Sequence, residues 1–235
     1  MINVISENQT FSASRYWSLL KRYLVENRKS LLFFTGVVWG VIMLICVNIG
    51  RFLDVAIELS LFAALFMVFA CLSASYMFSS LRTKELRVNT LMLPASMLEK
   101  YMVRFTVYIV MFVPMYLLAC VAGDLVRALV HDSETIWSYD FDWFLGRFSV
   151  MSVLMYQSLY ALGSSLWPRH SFFKTFLALF GLMFACMLFF PWSAFLWFDE
   201  ISEFGLYAFM VSVTVAAYVA AWFRFRSVQV VQRFM

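Results

Sequence analysis

The sequence predicts an all-α polytopic membrane protein with six transmembrane helices, an N-terminal amphipathic interfacial helix and both termini in the cytoplasm. Three observations lead to this fold class. Hydrophobic residues make up 63% of the 235-residue chain and charged residues only 14%, with a mean hydropathy of +0.82, which is far above that of soluble domains. The apolar residues form runs of about 20, the length that crosses a bilayer as a helix. The basic residues collect in alternate connecting segments.

The N-terminal segment, 1–30, is mostly polar, and residues 11–30 have the periodicity of an amphipathic helix. Its less polar face holds Ala13, Tyr16, Trp17, Leu20, Tyr23, Leu24 and Asn27, and its other face holds Arg15, Ser18, Lys21, Arg22, Glu26 and Lys29. We expect this helix to lie in the cytoplasmic membrane interface. The pattern alone leaves open whether it is a plain juxtamembrane anchor or also takes part in coupling.

The six predicted spans together form a transmembrane domain over 31–223. Their bounds are 31–50, 55–80, 101–126, 148–167, 175–198 and 205–223. Pro114 predicts a kink in the third span. Pro191 interrupts the fifth, which either stops there and leaves an apolar hairpin in the outer leaflet or continues as a kinked helix.

Loop charges predict the orientation of these spans. Of the 18 basic residues, 15 fall on one predicted side, in the N-terminal segment, the loops after spans two and four, the first turn of span three (Arg104) and the tail 224–235. The opposite loops are rich in aspartate and glutamate. By the positive-inside rule both termini are therefore cytoplasmic, as an even number of spans requires. The net charge of +4 then indicates topology and contact with anionic membrane lipids rather than nucleic-acid binding.

The cytoplasmic segment 81–100 is unusually elaborate for a connection. Pro94 breaks any continuous helix, and Ser96 with Glu99 forms a capping box that starts span three. Before the proline, Thr83–Met92 is predicted to form a short helix, with Val88, Leu91 and Met92 clustered and Lys84, Glu85 and Arg87 facing away. A few residues would suffice to join two antiparallel spans. We therefore expect this segment to contact a cytoplasmic partner.

Other candidate sites have weaker support. Glu58 is the one acidic residue well inside an apolar stretch, and it has either a functional role in the membrane or a structural one near the outer face. The aromatic residues of the loop 127–147 form either an interfacial belt or a ligand platform. The four cysteines fall in different spans, and His131 and His170 are predicted on opposite sides, so no metal site is expected.

The sequence contains no pattern typical of an enzyme. No glycine is followed by lysine, so there is no phosphate-binding loop. The Gly163–Ser165 stretch lacks a convincing base, because His170 follows the helix-breaking Pro168. We expect no cofactor in this chain, and any ATP that drives the protein must be hydrolysed by another chain.

The stretch KELRVNTLMLPASMLEKYMVRF, together with the basic entry helix and the six-span layout, resembles the type-2 permease subunits of ABC transporters, mostly bacterial exporters. The most specific match is Leu93–Ser96 and Leu98–Lys100. The resemblance implies a subunit of the bacterial cytoplasmic (inner) membrane that works as a dimer, with a second copy or a paralogue, together with cytoplasmic ATPase subunits that bind ATP and Mg²⁺.

The same resemblance implies roles for particular segments. Thr83–Met92 would be the coupling helix seated on the ATPase, with Pro94, Ser96 and Glu99 setting its angle to span three. The entry helix, 12–30, would correspond to the connecting helix of the family. The interrupted fifth span would correspond to its outer re-entrant hairpin.

Two other classes of function stay open from the sequence. A self-contained secondary transporter would carry inverted repeats and several polar residues at mid-membrane, and neither is found beyond Glu58. A non-transporting membrane scaffold or assembly factor has no feature that argues for it or against it. The substrate is not specified by any motif.

Overall fold

The computed structural model describes residues 11–48, 55–83, 85, 88, 92, 95–131, 147–189 and 203–231. Every regular element in these residues is helical, so the all-α class is confirmed. The α-helices with defined bounds are α1 Ala13–Glu26, α2 Arg28–Asn48, α3 Val55–Tyr76, α4 Met97–Phe105, α5 Phe112–His131, α6 Arg147–Leu166, α7 Ser171–Phe189 and α8 Glu203–Val231. A 3₁₀ turn, Ser79–Leu81, follows α3, and a π-helical turn, Thr106–Val110, joins α4 to α5.

Five helical segments among the described residues are long and apolar enough to cross a membrane, and the chain is therefore a multi-pass membrane protein. They are Arg28–Val47, Ser60–Leu81, Met97–Val130, Ser171–Leu188 and Phe204–Ser227. The predicted fourth span, 148–167, coincides with α6, which is not one of the five. Its Gln157 and several serines make it less apolar than the others. The count of six spans and the sidedness of the termini stay predictions.

Several helices extend beyond the apolar runs from which they were predicted. Helix α2 begins at Arg28, α7 begins at Ser171, and α8 continues to Val231, through most of the segment predicted to be a basic tail. Helical hydrogen bonding does not stop where hydrophobicity stops, so polar turns at the membrane boundary remain helical. The predicted interruption of span five at Pro191 lies outside the described residues.

Span three contains a π-helical turn shortly before Pro114. In Thr106–Val110 the backbone N–H of Met111 donates to the carbonyl of Thr106 at 2.8 Å. Pro114 follows within one turn, and it cannot donate to the carbonyl of Val110 as the residue at its position normally would. A proline and a π-turn are both known causes of helix distortion. The π-helical turn lies before the proline, and the kink at Pro114 itself stays a prediction.

The chain forms two compact units, the first consisting of Met1–Ala70 and Leu93–Gly146. In this unit α2 packs closely on α5 at Gly123, where an added Cβ would lie 2.8 Å from the Cys46 sulfur. The first half of α3 joins the same core, because the Tyr116 hydroxyl donates to the Phe62 carbonyl at 2.7 Å. The small size of Gly123 is therefore what permits the close approach of α2 and α5.

The second unit consists of Cys71–Met92 and Arg147–Met235. Helix α6 packs along α8 and also meets α7 beside the turn that joins them. At that turn a Cβ on Gly163 would collide with Thr175, and the Ser171 hydroxyl donates to the Ser75 carbonyl at 2.8 Å. Gln157 on α6 is fully buried, and neither amide atom has a hydrogen-bond partner among the described residues.

Candidate coupling site

Helix α1 leads almost without interruption into α2, the first candidate span. Asn27 is the residue between them, and its backbone N–H donates to the carbonyl of Tyr23 at 3.0 Å. Its own carbonyl accepts from the N–H of Leu31 at 3.0 Å. Helical hydrogen bonding therefore continues across the joint, and a displacement of α1 is transmitted directly to the start of α2.

Helix α1 packs against the beginning of span three, within the first unit. Three polar contacts join them in the same order along both segments: Ser12 to Glu99, Tyr16 to Thr106, and Tyr23 to Tyr108. The two segments consequently run side by side in the same general direction. One face of the entry helix α1 therefore contacts the beginning of span three.

The Glu99 carboxylate is the central polar group of this contact. It is 0% exposed, and its Oε2 accepts the backbone N–H of Ser96 at 3.0 Å while the Ser96 hydroxyl accepts the N–H of Glu99 at 3.2 Å. The predicted capping box is therefore confirmed. The other oxygen, Oε1, accepts the N–H of Ser12 at 2.8 Å and lies 3.4 Å from Nε of Arg15.

One carboxylate thus satisfies backbone donors at the starts of two helices. Ser12 is the N-cap residue of α1 and Ser96 is the N-cap residue of α4. Because a buried carboxylate is stable only when its oxygens are hydrogen-bonded and its charge is balanced, Glu99 fixes these two helix ends relative to each other. The negative charge also suits the positive ends of both helix dipoles.

Two more charged side chains of α4 are buried beside this contact. Lys100 and Arg104 are both buried, and the Arg104 guanidinium lies close enough to the hydroxyls of Tyr23 and Tyr108 to interact with them electrostatically. The packed face of α4 is therefore polar, unlike the apolar faces of the spans that follow. A polar interior of this kind depends on its hydrogen-bond partners and tolerates few substitutions.

The tyrosines of α1 connect it to the π-helical turn. The Tyr16 hydroxyl lies 2.7 Å from the Thr106 hydroxyl, and the Tyr23 hydroxyl donates to the Tyr108 hydroxyl at 3.3 Å. Thr106 is the first residue of the turn, and Tyr108 is its buried middle residue. The irregular part of span three is therefore in direct contact with the entry helix.

The described part of the predicted coupling helix is exposed. Glu85, Val88 and Met92 are helical and exposed, with Met92 at 78%. Which way Glu85 faces relative to Val88 and Met92 stays a prediction, because most of the residues between them lie outside the described residues. Thr83 is exposed just before them. The remaining predicted residues of this segment, Lys84, Arg87, Leu91 and Pro94, lie outside the described residues.

The start of this segment is held by the second unit. The Arg82 Nε donates to the Pro168 carbonyl at 2.9 Å, and its guanidinium lies 5.7 Å from the ring centre of Tyr76. The chain passes from the second unit to the first between Met92 and Leu93. The coupling segment is therefore the covalent connection between a residue anchored in one unit and the capped helix α4 of the other.

The contacts of α1 differ in part from those expected of its two faces. Arg15, which the sequence places on the polar face, pairs with Glu99, while Tyr16 and Tyr23 of the less polar face contact protein rather than only the membrane interface. Trp17, on the same less polar face, is 56% exposed. Ser12, Tyr16, Tyr23, Thr106 and Tyr108 also belong to the site and were not predicted as members. The amphipathic pattern of α1 predicted contact with the membrane interface and did not predict contact with α4.

The predicted intramembrane site at Glu58 is not tested by the geometry. Its backbone belongs to α3, and its side chain lies outside the described part of the chain. Among the described residues there is no group of three or more histidine, cysteine, aspartate or glutamate side chains able to hold a metal ion.

No protein-family model, no curated protein and no solved structure matches this chain.

Proposed function

We propose that the chain is the membrane-spanning permease subunit of an ATP-driven exporter of the type-2 ABC family. It would work in the cytoplasmic membrane of a bacterium as a dimer, with a second copy or a paralogue, and with separate cytoplasmic ATPase subunits that bind ATP and Mg²⁺. The observation that carries the proposal is the Glu99 joint. A buried carboxylate that fixes the entry helix to the start of span three, directly after an exposed helical segment, supports a role in transmitting force.

The proposed mechanism begins at the exposed face of the coupling segment. Val88 and Met92 are exposed apolar residues in helical conformation, which suits a groove on a cytoplasmic ATPase. ATP-driven movement of that groove displaces the segment, and the cap at Ser96 passes the displacement to α4. Because Glu99 also holds Ser12, α1 moves together with α4. Movement of α1 and α4 then alters the first and third spans together.

In this proposal the chain itself performs no chemistry. Its residues bind the ATPase, transmit its movement and line the route of the substrate, while hydrolysis occurs on the partner. The two-state element required for coupling is the pair formed by α1 and α4, which have a rigid joint at one end and the π-helical turn at the other.

The test is purification of the tagged full-length chain in mild detergent from cells that naturally encode it. The isolate is treated with a photoreactive ATP analogue and assayed for vanadate-sensitive ATP hydrolysis. We expect a separate labelled chain and measurable hydrolysis. If the chain is isolated without any labelled partner or hydrolysis, and still moves solutes in liposomes by itself, it is a secondary transporter instead.

A matched pair of variants locates the contact. Val88→Glu combined with Met92→Glu places charge on the proposed docking face, and we expect loss of the labelled partner with normal membrane insertion. Trp167→Glu is the control, because Trp167 and Val88 are equally exposed, at 39% each, and Trp167 is the last residue of the predicted fourth span, at its predicted cytoplasmic end. Equal loss in both variants would contradict the assignment of the coupling segment.

A further inference from the structure

A continuous exposed stripe runs from α1 into α2. At steps of three or four residues it contains Trp17, Lys21, Val25, Arg28 and Leu32, with Lys29 and Phe33 beside the last two. All are exposed, Phe33 at 75%. The ammonium of Lys21 lies 5.7 Å from the ring centre of Trp17. The stripe is distinct from the face of α1 that packs on α4.

The residues at the α2 end of the stripe indicate where the stripe lies relative to the membrane. Leu32 and Phe33 are exposed apolar residues of the candidate span Arg28–Val47, so they face hydrocarbon when the helix crosses a bilayer. Arg28 and Lys29 lie about one turn before them, and Val25, Lys21 and Trp17 lie about one, two and three turns beyond Arg28. Basic residues and tryptophan in this position lie at the level of the lipid headgroups.

The charges of the stripe are complementary to anionic lipid. Lys21, Arg28 and Lys29 are exposed cations, and Glu26 is the one acidic residue in the sequence 11–30. The Glu26 carboxylate already pairs with Arg22 at 2.6 Å. The stripe is therefore basic, and each lysine or arginine near an anionic leaflet contributes about 1 kcal/mol of attraction.

We propose that Trp17, Lys21, Arg28 and Lys29 form a binding surface for the headgroup of an anionic phospholipid, such as phosphatidylglycerol, in the leaflet at this end of α2. The lipid phosphate lies among the three cations, its acyl chains follow Leu32 and Phe33, and Trp17 supports Lys21 at the outer edge. A water-soluble partner protein fits less well, because the same stripe continues into surface that belongs in hydrocarbon. The proposal does not depend on the function proposed above.

The test compares lipid retention by the full-length protein in nanodiscs that contain phosphatidylcholine, with or without phosphatidylglycerol. Native mass spectrometry of the released protein counts the bound lipids of each class. We expect preferential retention of phosphatidylglycerol, which falls about fivefold for each cation removed among Lys21→Gln, Arg28→Gln and Lys29→Gln, the factor that ~1 kcal/mol corresponds to. Added salt is expected to weaken the preference.

Two control variants remove cations that lie outside the stripe. Arg22→Gln removes a cation of the same helix that is paired with Glu26, and Arg224→Gln with Arg226→Gln removes two exposed cations of α8. Both are expected to retain phosphatidylglycerol as the natural protein does. A Lys21, Arg28 and Lys29 variant with undiminished preference, or equal loss in the controls, overturns the proposal.

Further measurements test whether the variants fold and whether the ligand is a lipid, a free anion or a partner protein. The melting temperature in phosphatidylcholine nanodiscs establishes that the variants fold, and Leu32→Ala with Phe33→Ala weakens lipid retention without removing charge. If inorganic phosphate or glycerol phosphate protects the protein as well as phosphatidylglycerol does, the ligand is a free anion and the proposal is wrong. It is also wrong if the cation variants lose an ATPase partner while their lipid preference is unchanged.

Discussion

The backbone N–H of Ser12 donates to Oε1 of Glu99 at 2.8 Å, although 87 positions of sequence separate the two residues. The same carboxylate receives the N–H of Ser96 through its other oxygen. The start of the entry helix and the start of span three therefore share one acceptor group. Because both helix ends depend on the Glu99 carboxylate, substitution of Glu99 is expected to affect both of them. Substitution of Glu99 is therefore a direct test of the site.

Glu99→Ala is expected to lower the unfolding free energy by about 3 kcal/mol, because it leaves buried backbone donors without an acceptor and Arg15 without its carboxylate. Glu99→Gln keeps one carbonyl acceptor and should lose less. Glu26→Ala removes an exposed pair with Arg22 and should cost no more than about 1 kcal/mol. Melting temperature in detergent measures the series. Equal effects at Glu99 and Glu26 would show that the joint contributes little.

Tyr16→Phe is expected to loosen α1 from the π-helical turn more than Tyr23→Phe does. The Tyr16 hydroxyl lies 2.7 Å from its partner and the Tyr23 hydroxyl 3.3 Å from its own, and one such hydrogen bond contributes about 1 kcal/mol. Amide hydrogen exchange of α1 peptides should accelerate accordingly. Tyr156→Phe on α6 is the control, since Tyr156 is exposed. Unchanged exchange in the Tyr16 variant would contradict the assigned contact.

The glycines provide a second matched series. Gly163→Ala introduces a Cβ that collides with Thr175 and should destabilise the protein by about 2 kcal/mol. Gly181→Ala meets nothing within 4 Å and should be neutral or stabilising by up to about 1 kcal/mol, since alanine favours the helix. Thr175→Ala should recover part of the loss at Gly163. Thermal unfolding tests the order, and a silent Gly163→Ala would refute the close contact of α6 and α7.

Gln157→Leu is expected to raise the melting temperature. The amide is fully buried and has no hydrogen-bond partner among the described residues, and an unsatisfied buried amide costs about 1 to 3 kcal/mol. Leucine has a similar volume and no polar atoms. Gln157→Asn, which keeps the amide and shortens the side chain, is the comparison. A marked loss of stability in the leucine variant would mean that the amide has a partner, such as a buried water.

The predicted sidedness is tested by fusions at the C-terminus. A green fluorescent protein fused after Met235 should fluoresce, and alkaline phosphatase at the same place should be inactive, because the positive-inside rule places this end in the cytoplasm. A phosphatase fusion within the predicted outer loop 127–147 should be active. An active phosphatase at the C-terminus would reverse the orientation or change the number of spans.

The parts of the structure that the sequence predicts correctly are those with local causes. The helical class follows from long apolar runs, and the cap at Ser96 and Glu99 follows from two side chains within one turn of backbone. The bond from Glu99 to Ser12 has no local signal, because it depends on the packing of two distant helices. The pairing of Arg15 with Glu99 has no local signal for the same reason. The π-turn was not predicted, and its contacts with Tyr16 and Tyr23 depend on tertiary packing.

The third candidate span, Met97–Val130, has 34 residues, which corresponds to about 51 Å of helix. A hydrocarbon core of about 30 Å holds only about 20 of them without tilt. The surplus belongs at the end where Glu99, Lys100 and Arg104 are buried against α1, since these charges are stable in a protein-lined interior and not in lipid. The paired helices α1 and α4 therefore lie outside the hydrocarbon core, in the headgroup layer and just beyond it. In the proposed exporter, the length of this pair sets how far the ATPase on the coupling segment stands from the hydrocarbon.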